Sequence, residues 1–335
     1  MSKPEPLLSI IIPFFNNEEF ITPCLESLFR QIADDIEIIL IDDGSTDKSG
    51  ELVRLFLENH HHTNTRLITQ SNHGIAFTRN VGLDNANGQY ITFLDGDDIL
   101  SRHYMKTIRP CLESGEFDLI DFDYEKFTSQ PCESDIAEDT PCVRYNFEQK
   151  GLNCLEILFE RSMWHLWNRI YKRNILENER FEVGRRYEDV IFAPFIYFKT
   201  TRIGRINQKL YFYRDNYFGI TRNIKKQDIE DMLFAIKKMI LAAEKQPDNQ
   251  ELRGLAARMI VNCFGEVKNM SKALYGYYYY HKDTIVTLRA AANICSGTAV
   301  STKTVCQMRY PQIDTLFSKV RLTLKKISGT YSHKS

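Results

Sequence analysis

The chain has 335 residues, 43% hydrophobic and 26% charged, with a formal net charge of −1. That length supports a sizeable core and two subdomains, and the near-neutral balance excludes the broad basic field of a nucleic-acid binder. Eight cysteines lack any CxxC pair, and neither a signal peptide nor an apolar stretch near the ~18 residues of a membrane span is found, so a reduced, cytosolic protein is expected.

Residues 8 to 124 alternate in period. LSIIIPFF is a continuous apolar run, and from Asn17 to Ile32 the residues Phe20, Ile21, Leu25, Leu28 and Ile32 share one helical face. IEIILID reads as the second strand, followed by a helix that Ser45 or Asp47 can cap, with Leu52, Val53, Phe56 and Leu57 inward. TRLITQ predicts a third strand, His73 to Asn85 a small helix, GQYITFLD a fourth strand and FDLIDFDYE a fifth. Continuously apolar strands between amphipathic helices imply a mostly parallel sheet covered on both faces. Ligands of such sheets bind outside the carboxyl ends of the strands. Residues 127 to 145 are polar and acidic with two prolines and read as a surface excursion or hinge. The stretch from 155 to 222 is aromatic-rich and mixed. Beyond Gln227 the period turns helical: Ile229, Met232, Leu233, Ile236, Met239 and Ile240 form one face, and further helices are expected over 250–275 and 284–296. The YGYYYY run at 275–280 reads as core or helix-packing surface.

Two acidic clusters fall at predicted strand ends. ITFLDGDDIL places Asp95, Asp97 and Asp98 within four positions. A turn in which Asp98 caps a helix needs only one or two acids. Three are better explained by a divalent cation, because Mg2+ and Mn2+ take oxygen ligands and are commonly held by one or two carboxylates together with substrate phosphates. Gly96 is expected to let such a ligand approach the backbone. IDDGSTD at 41–47 reads equally as a capped turn and as Asp42 or Asp43 accepting from a base N–H or a ribose hydroxyl. In NHGIAFTRNVG, Arg79 beside an acidic crevice is a candidate for a diphosphate.

SIIIPFFNNEEFITPCLESLFRQ, EIILIDDGSTDKS, GIAFTRNVGLDNANGQYITFLDGDD and YEDVIF, in that order, resemble the family 2 glycosyltransferases of the GT-A fold. Those enzymes move a sugar from a nucleotide-diphosphate donor to an acceptor with inversion at the anomeric carbon. The likeness is dense over 8 to 125 and looser over 160 to 222. It implies an α/β, Rossmann-like, mostly parallel sheet sandwich with a C-terminal helical extension. The catalytic domain would span 1–225, with a nucleotide-sugar half at 1–125 and an acceptor and catalytic-base half at 126–225; a helical region would fill 226–335.

The resemblance also assigns roles. Pro13, Phe15 and Glu18 would line the nucleotide pocket, with Phe15 packing on the base. Asp43 would accept from uracil N3–H, Asp42 would be structural or on the ribose, and Arg79 would lie near the diphosphate or ribose. Asp95 and Gly96 would meet the nucleotide sugar, and Asp97 with Asp95 would hold Mn2+ or Mg2+ as the DxD motif. Glu188–Asp189 matches the family's ED motif, with Asp189 as base. Trp164 and Trp167 read first as buried packing and otherwise as a platform for sugar faces, and His165 reads first as structural. These three and Asp98 are the acceptor-side candidates, and Tyr213 and Arg214 candidates for the diphosphate.

The implied reaction transfers a hexose or N-acetylhexosamine from a UDP-sugar to a glycan or lipid-linked acceptor in bacterial surface polysaccharide synthesis (O-antigen, lipopolysaccharide core or capsule). The alternative is an inactive nucleotide-sugar-binding module of the same fold, against which the intact acid clusters argue. A nucleotidyltransferase should show a Gly-rich basic phosphate loop, and SIIIPFFNNEE has none. No nucleic-acid partner is expected.

From 285 to 335 eight Lys or Arg face one acid, Asp314. Within 313–328, Ile313, Leu316, Phe317, Val320, Leu324 and Ile327 share a helical face, with Lys319, Arg321, Lys325 and Lys326 off it. This reads equally as a peripheral membrane-surface helix, at the cytoplasmic face of the inner membrane, and as a terminal helix packing on the helical region.

Overall fold

The computed structural model describes residues 5–129, 131, 141–215 and 223–331, with side chains followed to Leu324. In chain order its elements are β1 (Leu8–Phe14), α1 (Ile21–Phe29), β2 (Ile36–Asp42), α2 (Ser49–Asn59), β3 (Thr65–Thr69), α3 (Ile75–Asn85) and β4 (Tyr90–Phe93). Next come β5 (Ile99–Leu100), α4 (Tyr104–Glu113), β6 (Leu119–Phe127), β7 (Cys142–Arg144), α5 (Phe147–Lys150), α6 (Glu156–Arg161), β8 (Arg169–Lys172), α7 (Arg173–Leu176), α8 (Glu188–Ile196) and β9 (Ile203–Arg214). Helices follow: α9 (Lys226–Lys245), α10 (Gln250–Tyr275), α11 (Lys282–Cys295), α12 (Thr302–Arg309) and α13 (Pro311–Tyr331). These elements cluster into two compact units, Met1–Tyr145 with Trp164–Gly219, and Asn146–Met163 with Ile220–Ser335.

The first unit is built on a sheet ordered β3-β2-β1-β4-β8-β6-β9-β5, with β7 on β9. Every residue of β1, β2 and β4 is buried, as continuous apolar runs require of strands covered on both faces. Strands β3, β2, β1 and β4 are mutually parallel. The chain steps outward from β1 to β3, then returns through α3 to place β4 on the other side of β1. That reversal makes the carboxyl ends of β1 and β4 a topological switch point, the usual crevice for a ligand. Helix α3 closes tightly on β1, because a Cβ on Gly82 would come within 2.3 Å of Ile11 Cγ2.

The remainder of the sheet departs from the parallel pattern. Strand β8 runs antiparallel between β4 and β6, and β5 and β7 pair antiparallel with β9, while β6 and β9 are parallel. The mixed stretch at 155–222 hid both β8, four residues long, and β9, twelve residues long. Of the excursion expected at 127–145, residues 130 and 132–140 lie outside the described residues. Helix α2 starts at Ser49, later than a Ser45 or Asp47 cap would set it, although Asp47 Oδ1 does accept from Ser49 N–H at 2.9 Å.

In the second unit α9, α10 and α11 pack through Ile236 and Met239, Ala256, Ile260 and Cys263, and Leu288 and Ala292, all buried. Asn249 caps α10 by accepting from Leu252 N–H, and Gly276 ends it at φ 78°, a left-handed position that glycine adopts without strain. Helix α13 leaves its apolar row, Ile313, Leu316, Phe317, Val320 and Leu324, between 48 and 63% exposed. The helix does pack on the helical region, but this row is not the face that packs. Asp314 and Ser318 turn inward instead, bonded to Lys268, Tyr280 and the Tyr278 N–H.

Candidate active site

The loops after β1 and β2 are tied together by side chains. Asn16 adopts φ 51°, which asparagine tolerates better than most residues, and its Oδ1 accepts from Thr46 N–H at 2.8 Å. Ser49 Oγ accepts from Asn17 N–H at 2.7 Å, Asp47 from Glu18 N–H, and Glu18 from Lys48 N–H. Pro13 is buried opposite Ile41. Phe15 is 43% exposed, so its ring is available to a planar ligand. Asn16 and Asn17 were not singled out in the sequence; the loop-to-loop bonding that makes them matter has no local signal.

Asp42 and Asp43 are both buried at the end of β2. Asp42 Oδ1 accepts from Ser45 N–H at 2.8 Å, a turn closure. Asp43 holds the next loop: Oδ1 accepts from Gln70 Nε2 and His73 N–H, and Oδ2 from Gly74 N–H, at 2.8, 2.9 and 2.9 Å. A carboxylate has about four acceptor positions, so Asp43 retains one.

The acidic loop after β4 is fastened from beneath by β9. Tyr211 donates its hydroxyl to Asp98 Oδ2 at 2.7 Å and accepts from Asp95 N–H at 3.2 Å. Arg214 donates its N–H to Asp98 Oδ1 and its Nε to the Asp97 carbonyl, both at 2.7 Å, with the guanidinium over Phe20 and Phe127 at 4.7 and 4.5 Å. Asp98 is buried, and each of its oxygens takes one of these bonds. Burial pushes its carboxyl well up, and the Asp97 and Asp95 charges push it further. The acceptor role expected of Asp98 gives way to a structural one. Gly96 is also corrected: a Cβ there would meet Phe14 Cβ at 2.9 Å, so its missing side chain admits the end of β1 rather than a ligand. Asp95 and Asp97 remain half-exposed at the rim.

Arg79, on α3, joins this loop to α8. Nη2 donates to Asp95 Oδ1 at 2.9 Å and Nη1 to Glu188 Oε1, while Phe93 and Phe181 flank the guanidinium at 6.0 Å. Arg79 is 5% exposed, and its Nε is buried without a partner among the described residues, as is the Tyr171 hydroxyl. Burial pushes Glu188 up to about 7, with the Asp189 charge adding and the Arg79 guanidinium opposing. Asp189 is half-exposed. One of its oxygens accepts from Val190 N–H at 2.7 Å. Enclosure by the protein raises its pKa, against that N–H, Arg79 and Arg169.

The aromatic candidates are packed. Trp164 is 1% exposed, against Tyr197 and the Arg169 guanidinium. Trp167 is 3% exposed, stacked on Tyr211 at 4.2 Å and on His165 at 4.6 Å. Neither indole presents a free face, so the sugar-platform expectation fails for both. His165 is half-buried near Tyr213; burial first, then Arg169 and Lys126, lower it to about 4, so it is neutral near pH 7. Tyr211 was missed because its role depends on β9 reaching the acidic loop from 113 residues away.

Among the described residues no three His, Cys, Asp or Glu side chains are grouped to enclose a metal ion. The two rim carboxylates still fit a hard cation. They supply oxygen donors at a crowded negative loop, and a phosphate-bearing ligand can complete the shell.

Residues 9–184 match Glycosyl transferase family 2. The chain belongs to that family. It is 32% identical over 232 residues to the uncharacterized glycosyltransferase EpsJ of Bacillus subtilis (strain 168), covering 68% of this chain and 67% of EpsJ. It is 30% identical over 216 residues to the glycosyltransferase GlyA of Streptococcus pneumoniae serotype 4, covering 62% of this chain but only 30% of GlyA. The fold is similar to that of S. aureus TarS 1–349 in complex with UDP-GlcNAc, with a TM-score of 0.73 at 18% identity over 96% of this chain and 92% of that one. This family 2 glycosyltransferase thus has the GT-A sheet, with its acidic crevice at the switch point between β1 and β4.

Proposed function

We propose that this glycosyltransferase moves a hexose or N-acetylhexosamine from a UDP-sugar, with inversion, to a glycan or lipid-linked acceptor of a bacterial surface polysaccharide. The observation that carries the reading is the Arg79 bridge, which brings Asp95 of the DxD segment and Glu188 of the ED segment onto one guanidinium. Phe15, with Asp43 and its remaining acceptor position, serves the nucleobase. Asp95 and Asp97 would hold Mn2+ or Mg2+, which when bound neutralises the charge that develops on the departing diphosphate.

Asp189 takes the acceptor hydroxyl's proton as that oxygen attacks the anomeric carbon. Its raised pKa brings it closer to neutrality and makes it the stronger base. Glu188, paired with Arg79, positions α8 and is not the proton acceptor. Within this reading the catalytic residues lie within 1–225, of which 146–163 belong to the helical unit, and 226–335 is a helical region. The reaction takes place at the cytoplasmic face of the membrane, with the exposed row of α13 as a peripheral contact. Among the described residues no helix is long and apolar enough to cross a membrane.

A panel of UDP-sugars with Mn2+ and an acceptor extract, monitored for UDP release, tests the assignment. Turnover by the wild type and a loss of 10²-fold or more in Asp189→Asn, the scale of general-base catalysis, are expected. Full transfer activity in Asp189→Asn would overturn the base assignment.

A further inference from the structure

The helical unit carries charge and apolar surface that sugar transfer leaves unused. A cavity of about 750 Å³ lies among the end of α10, the 275–280 tyrosine run, α12 and α13. Its one acidic lining residue is already engaged: Asp314 accepts from Lys268 Nζ at 2.9 Å, Tyr280 hydroxyl at 3.1 Å and Gln307 Nε2 at 3.2 Å. Lys268 is further fixed over the Tyr278 ring at 4.4 Å. Three more cations line the cavity, Lys272, Lys303 and Arg321, all exposed and with no ion pair among the described residues. Like charges gathered without a counterion repel one another, and an anion that enters relieves them. Arginine and lysine together, beside aromatic walls such as Tyr277, form the donor set for a phosphate group.

What carries the phosphate is indicated by α13. Ile313 and Phe317 line the cavity and also begin the exposed row that runs on through Val320 and Leu324. A small soluble anion would gain nothing from that row. An amphiphile would use both features, its headgroup in the cavity and its chains against the row. The positive excess from 285 to 335 complements an anionic surface and disfavours a second copy of the same positive segment.

We propose that this cavity is a subsite for the phosphate of an anionic phospholipid headgroup. The proposal rests on the membrane-contact reading of α13 and adds to it a discrete site with named cations.

Co-sedimentation with phosphatidylglycerol vesicles, using the full chain, separates the two. Lys272→Gln with Lys303→Gln removes two charges at the cavity; Arg289→Gln with Arg309→Gln removes two from the same basic region outside the cavity lining. At about 1 kcal/mol, or about fivefold, per basic residue near an anionic surface, diffuse attraction costs either pair up to about 30-fold, and the cavity pair should lose at least about a further fivefold. Helix content by circular dichroism should stay unchanged in both. Equal losses in the two pairs would overturn the subsite and leave surface contact by α13 standing. If the wild type ignores vesicles, titration with glycerol 1-phosphate applies: saturable binding abolished in the cavity pair overturns the lipid source in favour of a free phosphate ester. Concentration-dependent dimers that Leu316→Ser with Phe317→Ser dissolves, without vesicle binding, would overturn it in favour of a second copy.

Discussion

Arg79 joins carboxylates that stand 16 and 109 residues away in the chain. Its guanidinium is buried, so removing it strands Glu188 beside Asp189 without compensation. Arg79→Met should lower unfolding stability by about 3–5 kcal/mol, the scale for breaking a buried ion pair, read by urea denaturation. An effect below about 1 kcal/mol would mean that the bridge does not hold the crevice together. Asp189 gives a pH test at the same scale. A base must be deprotonated to act, so transfer falls as pH drops through its pKa. Because enclosure raises that pKa, the acid limb of kcat/KM should lie above the ordinary aspartate range near pH 4. A limb at or below that range would count against Asp189.

Strands β1, β2, β3 and the entry to β4 are joined at their amino ends by Glu37. It accepts from Ser9 Oγ at 2.5 Å, Asn87 N–H at 2.8 Å, Asn87 Nδ2 at 2.9 Å and Arg66 Nη2 at 2.7 Å. Burial alone would raise its pKa, but these donors outweigh it and hold the carboxyl below its ordinary value of 4.5. A carboxylate depressed on folding stabilises above its unfolded pKa and loses that contribution as pH falls through the folded one. The difference in Tm between wild type and Glu37→Gln should therefore be largest near pH 6 to 7 and shrink below about pH 4.5. A pH-independent difference would show that the bonds, and not the charge, are what matter. At this scale the sequence was most legible where periodicity was clean. The runs of β1 and β2 and the face of α9 were visible because burial on both sides of a strand, or on one side of a helix, writes itself into residue order. Strands β8 and β9 were not, because the antiparallel insertion of β8 between β4 and β6, and the parallel pairing of β9 with β6, depend on partners far away in the chain.

Across the whole molecule, the acidic loop is braced by Tyr211, Arg214 and Arg79, all protein groups. If Asp95 and Asp97 hold a cation as proposed, chelation by EDTA should abolish UDP release, while the protein bracing should leave Tm within about 2 °C, the shift that roughly 1 kcal/mol produces in a domain of this size. A large fall in Tm would mean that the cation is structural. The site itself was partly legible. The acids at 95–98 stood out because like charges at the end of a buried strand need an explanation, whereas Glu188 and Asp189, in the first turn of α8, stood out through the resemblance of YEDVIF to the family motif. Which of them face the crevice did not: Asp98 differs from Asp97 only in being reached by Tyr211 and the Arg214 N–H, which sequence spacing cannot show. The tryptophans follow the commoner reading, buried packing, but their partners, Tyr211 stacked on Trp167 and Tyr197 edge-on to Trp164, are settled by tertiary structure.

The three bonds that Asp43 accepts carry a further consequence. Two of them come from backbone amides, those of His73 and Gly74, in the loop that leads into α3. These amides should be among the slowest of any loop hydrogens to exchange with deuterium. A nucleobase that claims the fourth acceptor position must share the same carboxylate. If Asp43 meets the nucleobase as proposed, the exchange rates at His73 and Gly74 become a reporter of donor occupancy, one that needs neither turnover nor an identified acceptor.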